Sequence, residues 1–280
     1  APAQVIASAS DEPDFGMDIG LFEDNGTDFG RRYGFGAQPF GNPNLEYSSQ
    51  APFHMGFYHL GWLVRTAQPD LMRTYPAGRV ALFGELSAFA FRTGHDYWGW
   101  RFAGWALHYI GDLTQPYHAD PLPGIDTLDA LWLLAQGRSN EAVQRVSNRH
   151  GVLESYQFQR FRAALAAGDA AHPLISAVVM TDKTIAWDET TLIGPLTRDS
   201  VAAGAEMDSV LAHNVPSRFV SDPAFEWTGS GAEAVIVDAV RAEGGDDAIA
   251  ALDAMLATQL ARFGRYARSW LERTQRHASR

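Results

Sequence analysis

From about residue 52 onward, hydrophobic positions recur at three- and four-residue steps over most of the chain, the period of a helix with one buried face. The clearest case is the last: Ile249, Leu252, Leu256, Leu260, Phe263, Tyr266 and Trp270 share one stripe of a helix expected over 246–272. Upstream, the stretch 79–93 runs into Gly94, and 98–115 stops at Pro116, whose missing N–H and bulky ring end a helix. Further helices are expected over 126–136, 139–166, 173–186, 197–213 and 230–242. Alternating strand patterns are few and no internal repeat is visible. The pattern therefore predicts an all-α single domain, 1–280, with its helical core over 52–272.

Residues 11–50 break this rhythm. Gly16, Gly20, Gly26, Gly30, Gly34, Gly36 and Gly41 alternate with Phe15, Phe22, Phe29, Tyr33, Phe35 and Phe40, with no helical or strand period. Flexible linkers are rich in Gly and Ser but lack rings. The mixture predicts instead an ordered loop that bends tightly and packs on itself, inside a loop-rich segment 1–50. Loops of that length in compact proteins tend to be functional.

Composition narrows the chemistry. With 46% apolar and 20% charged residues among 280, the chain has material for a substantial core and is not a disordered segment. No apolar run approaches the ~20 residues that cross a bilayer, and APAQVIASAS lacks the basic start and apolar stretch of an intact signal peptide. A soluble chain with a processed N-terminus is expected. The absence of Cys removes disulfides, thiolate ligands and thiol nucleophiles, so a metal ion must be held by His, Asp, Glu or backbone. A net charge of −11 repels long polyanions, and no stable nucleic-acid partner is expected. Nucleophile-elbow, P-loop and dinucleotide-binding glycine patterns are missing.

The informative segment is His108-Tyr-Ile-Gly-Asp112-Leu-Thr-Gln-Pro-Tyr-His118. Four residues apart on a helix, His108 and Asp112 stack on one face, which Trp105 and Gln115 share. Burying such a stripe needs a compensating partner, and a metal ion is one. His118 follows Pro116 and is placed to return toward the same centre. A second pair repeats the spacing: His150 and Glu154 in His-Gly-Val-Leu-Glu. Imidazole with carboxylate and no thiolate suits zinc with coordination positions left open for water. One such pair alone is more often a salt bridge than a ligand set; two pairs plus His118 shift that balance. His95-Asp96 forms the doublet of HD-type phosphohydrolases without the rest of that pattern, and His172 and His213 read as helix-end residues.

HYIGDLTQPYHA and HGVLESY resemble the two signature segments of the zinc-dependent phospholipase C family, which is related to the zinc-dependent fungal single-strand nucleases. The resemblance is clearest from about 98 to 158. It implies a helical bundle of that family's type and two or three zinc ions per chain. One zinc would be held by His108 and Asp112 with an upstream Asp and His, another by His118, His150 and Glu154. The upstream Asp comes from Asp11, Asp14 and Asp18, with Asp14 favoured because an aromatic residue follows it. The other two could be caps or turn formers. The upstream His is His54 or His59, with His54 favoured. The chain departs from the family at its start, where a Trp and a nearby His bind a third zinc. Here Ala1 stands first and no His precedes His54, so either the third site is absent or it is rebuilt from Asp11 or Glu12 with Asp112 bridging.

By the same resemblance the zinc ions activate a water for in-line attack on a phosphodiester, with Asp14 able to act as general base. The implied substrate is a phosphatidylcholine-type phospholipid at a membrane surface. Glu154 rather than Asp favours lipid over nucleic acid, and the acidic surface suits a cationic head group. A monomeric enzyme, secreted or periplasmic, is expected. The alternatives are a single-strand nuclease or nucleotidase using the same metals, and a non-catalytic, zinc-stabilised binding protein.

Overall fold

The computed structural model describes residues 1–41, 46–125, 127–179 and 184–278. Among these the secondary structure is helical throughout, without a strand, and none of the helices is long and apolar enough to cross a membrane. The chain clusters into two compact units. The first comprises Ala1–Ala119, Thr184–Arg198 and Tyr266–Arg280; the second comprises Asp120–Lys183 and Asp199–Arg265.

In the first unit, α1 (Pro2–Ala9) leads through a 3-10 turn (Glu12–Phe15) into the Gly/aromatic region, which contains α2 (Asp28–Tyr33). There follow α3 (Ala51–His54), α4 (Trp62–Ala67), α5 (Pro76–Arg92), α6 (Asp96–Thr114) and α7 (Pro116–Ala119). Helices α5 and α6 form an antiparallel hairpin whose turn requires Gly94, at φ +77°. Close approach inside the hairpin is possible because Gly99 leaves room for the Phe91 ring. The α1 helix was not expected within a loop-rich start. It is short, built from small residues, and lies against α6 at Gly104, where an added Cβ would come within 2.7 Å of the Ala9 Cβ.

Among the described residues of the Gly/aromatic region, several rings pack together as the sequence predicts, but the region also contains α2 and 3-10 turns that its pattern did not announce. Phe22 and Phe35 join Phe53 and Tyr75 in a ring cluster with centroids 4.9–6.3 Å apart. Phe53 is fully buried and fixes α3, a helix too short to hold itself. Arg73 donates to the carbonyls of Ala37 (2.8 Å) and Phe35 (3.2 Å), pinning the loop from outside. Phe15, Phe29 and Tyr33, by contrast, are exposed.

The second unit contains α8 (Thr127–Ala135), α9 (Ser139–Ala166), α10 (Pro173–Val179), most of α11 (Thr197–Asn214), α12 (Ser217–Val220) and the greater part of α13 (Ile236–Ala278). Two expected helices, over 230–242 and 246–272, meet at Gly245, whose backbone (φ 67°, ψ −163°) interrupts α13. Of the C-terminal stripe, every member but Phe263 is buried. Tyr156 of α9 donates to Asp253 of α13 (3.1 Å) and Arg160 pairs with the same carboxylate, locking the two helices. The helix expected over 173–186 is described over Pro173–Val179; residues 180–183 lie outside the described residues, as does residue 126 of the expected 126–136 helix, and 184–186 are not helical.

The tight α1–α6 contact generates a prediction. Replacing Gly104 with Val forces α1 away from α6, because the new Cβ meets both Ala9 and the Ile6 carbonyl. A destabilisation of about 1–3 kcal/mol is expected, read as a lower urea midpoint at unchanged slope.

Candidate metal centre

Four donor atoms from three separated segments converge in the first unit. His108 and Asp112 stand one turn apart on α6, with His108 Nε2 3.4 Å from Asp112 Oδ2. From the end of α3, His54 Nδ1 lies 2.9 Å from Asp112 Oδ2 and 3.0 Å from His108 Nε2. From the 3-10 turn after α1, Asp14 Oδ1 lies 3.4 Å from His108 Nε2 and 3.8 Å from His54 Nδ1. A tetrahedral ion with bonds near 2.0–2.1 Å spaces its ligands about 3.4 Å apart. The five separations bracket that value, and Asp14, His54 and His108 form a triad able to hold a metal ion.

The orientation of each ring is set from behind. His108 Nδ1 donates to the Ser10 carbonyl (2.9 Å) just after α1, which leaves the lone pair of the neutral ring on Nε2, facing the centre. His54 presents Nδ1 inward, while its Nε2 faces Asp18 Oδ2 at 3.5 Å. Asp14 is positioned through its neighbour: the Glu12 carboxylate is gripped by Arg101 (2.8 and 3.1 Å) and by the Trp105 indole N–H (2.5 Å), both on α6. This engagement makes Glu12 a clamp for the turn, not a spare ligand for a further metal. Asp11 is exposed and precedes the turn.

Electrostatics follow from crowding acids beside imidazoles. Burial alone would depress the His54 imidazole, yet bonded Asp112, with Asp18 and Asp14, holds it up at about 10. The His108 imidazole is likewise raised against burial by Asp112 and Asp14. Burial opposes the charge on Asp112, but His108, His118 and His54 hold its carboxyl down at about 2. Without a metal, the His54 imidazolium supplies positive charge beside these carboxylates, and its Nδ1–H faces His108 Nε2.

The remaining expected ligands are distributed as follows. His118, buried on α7, donates from Nδ1 to the His54 carbonyl (3.0 Å), while the Gly56 N–H donates to the His118 carbonyl (2.7 Å). These bonds stitch α3 to α7 and leave the lone pair of a neutral His118 on Nε2. His150 and Glu154 lie one turn apart on α9 of the second unit, Nε2 to Oε1 2.9 Å. His59 stands apart from the donor cluster: the chain leaves the helix at Met55, and the His59 Nε2 meets Thr197 Oγ1 at 2.9 Å. Burial and the nearby Arg198 and Arg65 lower its pKa. His95 is exposed and bonds Thr93 (3.2 Å), His172 accepts the Leu174 N–H (3.3 Å) at the start of α10, and His213 sits in the last turn of α11.

Sequence reasoning missed the supporting partners Arg79, Tyr109 and the Ser10 carbonyl. Only the adjacency of Tyr109 to His108 hinted at any of them. Asp18 was expected as an alternative ligand, a cap or a turn former. It is instead fully buried between Arg79 and Tyr109, on the opposite edge of the His54 ring from Asp14 and Asp112.

Fold and site together define a helical chain with a candidate metal triad of Asp14, His54 and His108, beside which Asp112 meets both imidazoles. Comparison with protein-family models, with curated proteins and with solved structures finds no match.

Two outcomes are expected. His54→Gln removes the metal that His59→Gln leaves in place, counted by elemental analysis of the purified chain. Uptake of zinc at pH 7 releases at least one proton, because His54 is an imidazolium until its pKa of about 10. Apparent zinc affinity therefore rises with pH toward that value, by about tenfold per unit for each proton displaced. Calorimetry in two buffers of different ionisation enthalpy measures the proton count; a count of zero contradicts the charge assignment.

Proposed function

We propose that this chain is a zinc-dependent phosphodiester hydrolase acting on phospholipids of the phosphatidylcholine type, a phospholipase C. The observation that carries the reading is the triad of Asp14, His54 and His108, with Asp112 against both imidazoles and with Asp14 half exposed at 51% while the two imidazoles are buried. Two nitrogens and two oxygens without thiolate suit zinc, and a donor set open on one side belongs with turnover more than with a closed structural site.

Asp14, His54, His108 and Asp112 would hold the ion. Bound there, zinc would supply an activated water and a Lewis acid for the charge that builds on the phosphoryl oxygens. The chain's own residues do the rest. Asp112 and the two rings, locked from behind, keep the centre rigid during reaction. The half-exposed Asp14 carboxylate accepts the proton of the attacking water as general base. Phe15, beside it and 81% exposed, offers a ring to the apolar part of a lipid. Family resemblance extends the proposal to a second zinc on His118, His150 and Glu154, carried by their spacing in sequence. It also extends to release of diacylglycerol and a phosphorylated head group, and to a monomer working in the periplasm or outside the cell.

One observation favours a nuclease as the second reading. Tyr97 and Trp98 are exposed on α6, the helix of His108 and Asp112, with Arg101 over both rings (5.9 and 5.4 Å). Bases stack on such platforms.

The deciding assay uses protein of counted zinc content on phosphatidylcholine vesicles and on single-stranded DNA, with and without chelator. Chelator-sensitive release of phosphocholine supports the lipase reading; release of nucleotides replaces it with the second; silence on both with zinc bound rejects both. Asp14→Asn is expected to lower kcat by about 10²–10⁴. His118→Ala and His150→Ala should each remove one zinc equivalent and turnover, and retention of both properties eliminates the second zinc.

A further inference from the structure

We infer that Asp18, held by Arg79 and Tyr109, is the positioning residue that sets the His54 ring as a ligand; this rests on the metal-centre reading above. An imidazole can ligate through Nδ1 only when its proton resides on Nε2. His54 Nε2 is buried without a hydrogen-bond partner inside normal distance, and the group it faces is Asp18 Oδ2, 3.5 Å away. A carboxylate at that edge draws the proton to Nε2 and leaves the Nδ1 lone pair toward Asp14, His108 and Asp112. The opposite tautomer would aim an N–H into the donor set and block it.

Asp18 is equipped to stay an anion although it is fully buried. Its Oδ1 pairs with Arg79 and its Oδ2 accepts from the Tyr109 hydroxyl. The same three residues adjoin, in space or along the chain, each segment that brings a ligand. Asp18 lies four residues after Asp14. Arg79 lies over the Phe53 ring at 4.7 Å, and Phe53 precedes His54. Tyr109 follows His108 on α6, and its ring centroid lies 5.1 Å from that of His54. A displacement of any ligand segment is therefore felt at one carboxylate. Metal-binding His residues are oriented by such partners, whose loss weakens metal affinity by about 10–100-fold.

A buried ion pair can also serve only the fold, and the test separates the two roles. Zinc alone is titrated into the metal-free full chain in competition with a chromophoric chelator. The proteins are the wild type, Asp18→Asn, and the double variant Asp18→Asn/Arg79→Met, which leaves no orphaned buried charge. The Nε2–H resonance of His54 is followed by NMR in the zinc-loaded forms. Zinc affinity about 10–100-fold weaker in the variants that fold, with that resonance lost or shifted, is expected. Should Asp18→Asn fail to fold, the double variant decides. Affinity within about twofold of wild type and an unmoved resonance in a folded variant overturn the inference while leaving the metal centre intact. Failure of both variants to fold while wild type binds zinc assigns Asp18 to the fold and also overturns it. A wild-type chain that takes up no zinc sinks the metal-centre reading itself, and this inference with it.

Discussion

Removing a carboxylate from water costs several kcal/mol unless positive charge or hydrogen bonds replace the solvent, and the first unit gathers three of them around two imidazoles. Asp18 is buried and Asp112 mostly so, and Asp14 lies within 4 Å of both rings. Arg79 answers one of these charges from outside the cluster, and the His54 imidazole answers the others by holding a proton it would ordinarily release near neutrality. A divalent cation replaces that proton without moving a carboxylate. Concentrated negative charge with nitrogen donors already turned inward is what makes the centre a candidate cation site, and the helices of this unit are packed so as to hold its side chains in place.

That restraint comes from packing more than from long helices. His54 sits at the end of a four-residue helix that would not persist alone. It is held because Phe53 is buried among Phe22, Phe35 and Tyr75, and because bonds to α7 tie both sides of the turn. The Gly-rich loop thus serves the ligand by closing rings over its neighbour. Its tightest bend needs Gly41, at φ +107°, where any Cβ would stand 2.6 Å from the Ser48 carbonyl oxygen. On the other side, α1 ends at the carbonyl that orients His108, which ties an otherwise marginal helix to the chemistry of the site.

Elements with a strong local cause were legible in the sequence. Pro116 ends α6, Gly94 closes the α5–α6 hairpin, and the three- and four-residue stripe of α13 faces inward as its periodicity requires. The His108–Asp112 stripe was legible for the same reason, since its spacing is a helix property. What local pattern cannot carry was missed. The α1 helix has only eight residues, too few to show a period, and it packs on α6 at Gly104, almost a hundred residues away. The Asp18–Arg79 pair spans 61 residues and the Tyr109–Asp18 bond spans 91, so no window of sequence contains both partners. Sequence favoured His54 over His59 without settling the choice, because what separates their directions is the chain's exit from the helix at Met55.

The acidic run from Asp11 to Asp18 shows how environment divides labour among side chains of one kind. Asp11, in solvent, has no assigned task. Glu12 is neutralised by Arg101 and bonded by Trp105, so its charge is spent on geometry. Asp14, two residues on, points at the same imidazoles that Asp112 meets, but keeps half its surface in water. Asp18 loses all contact with water and acts through a ring edge. Of the four, Asp14 alone combines access to solvent with contact to both imidazoles, the pairing that proton transfer from an incoming water demands. A carboxylate fixed only for stability gains nothing from that exposure; one that must exchange protons with substrate depends on it.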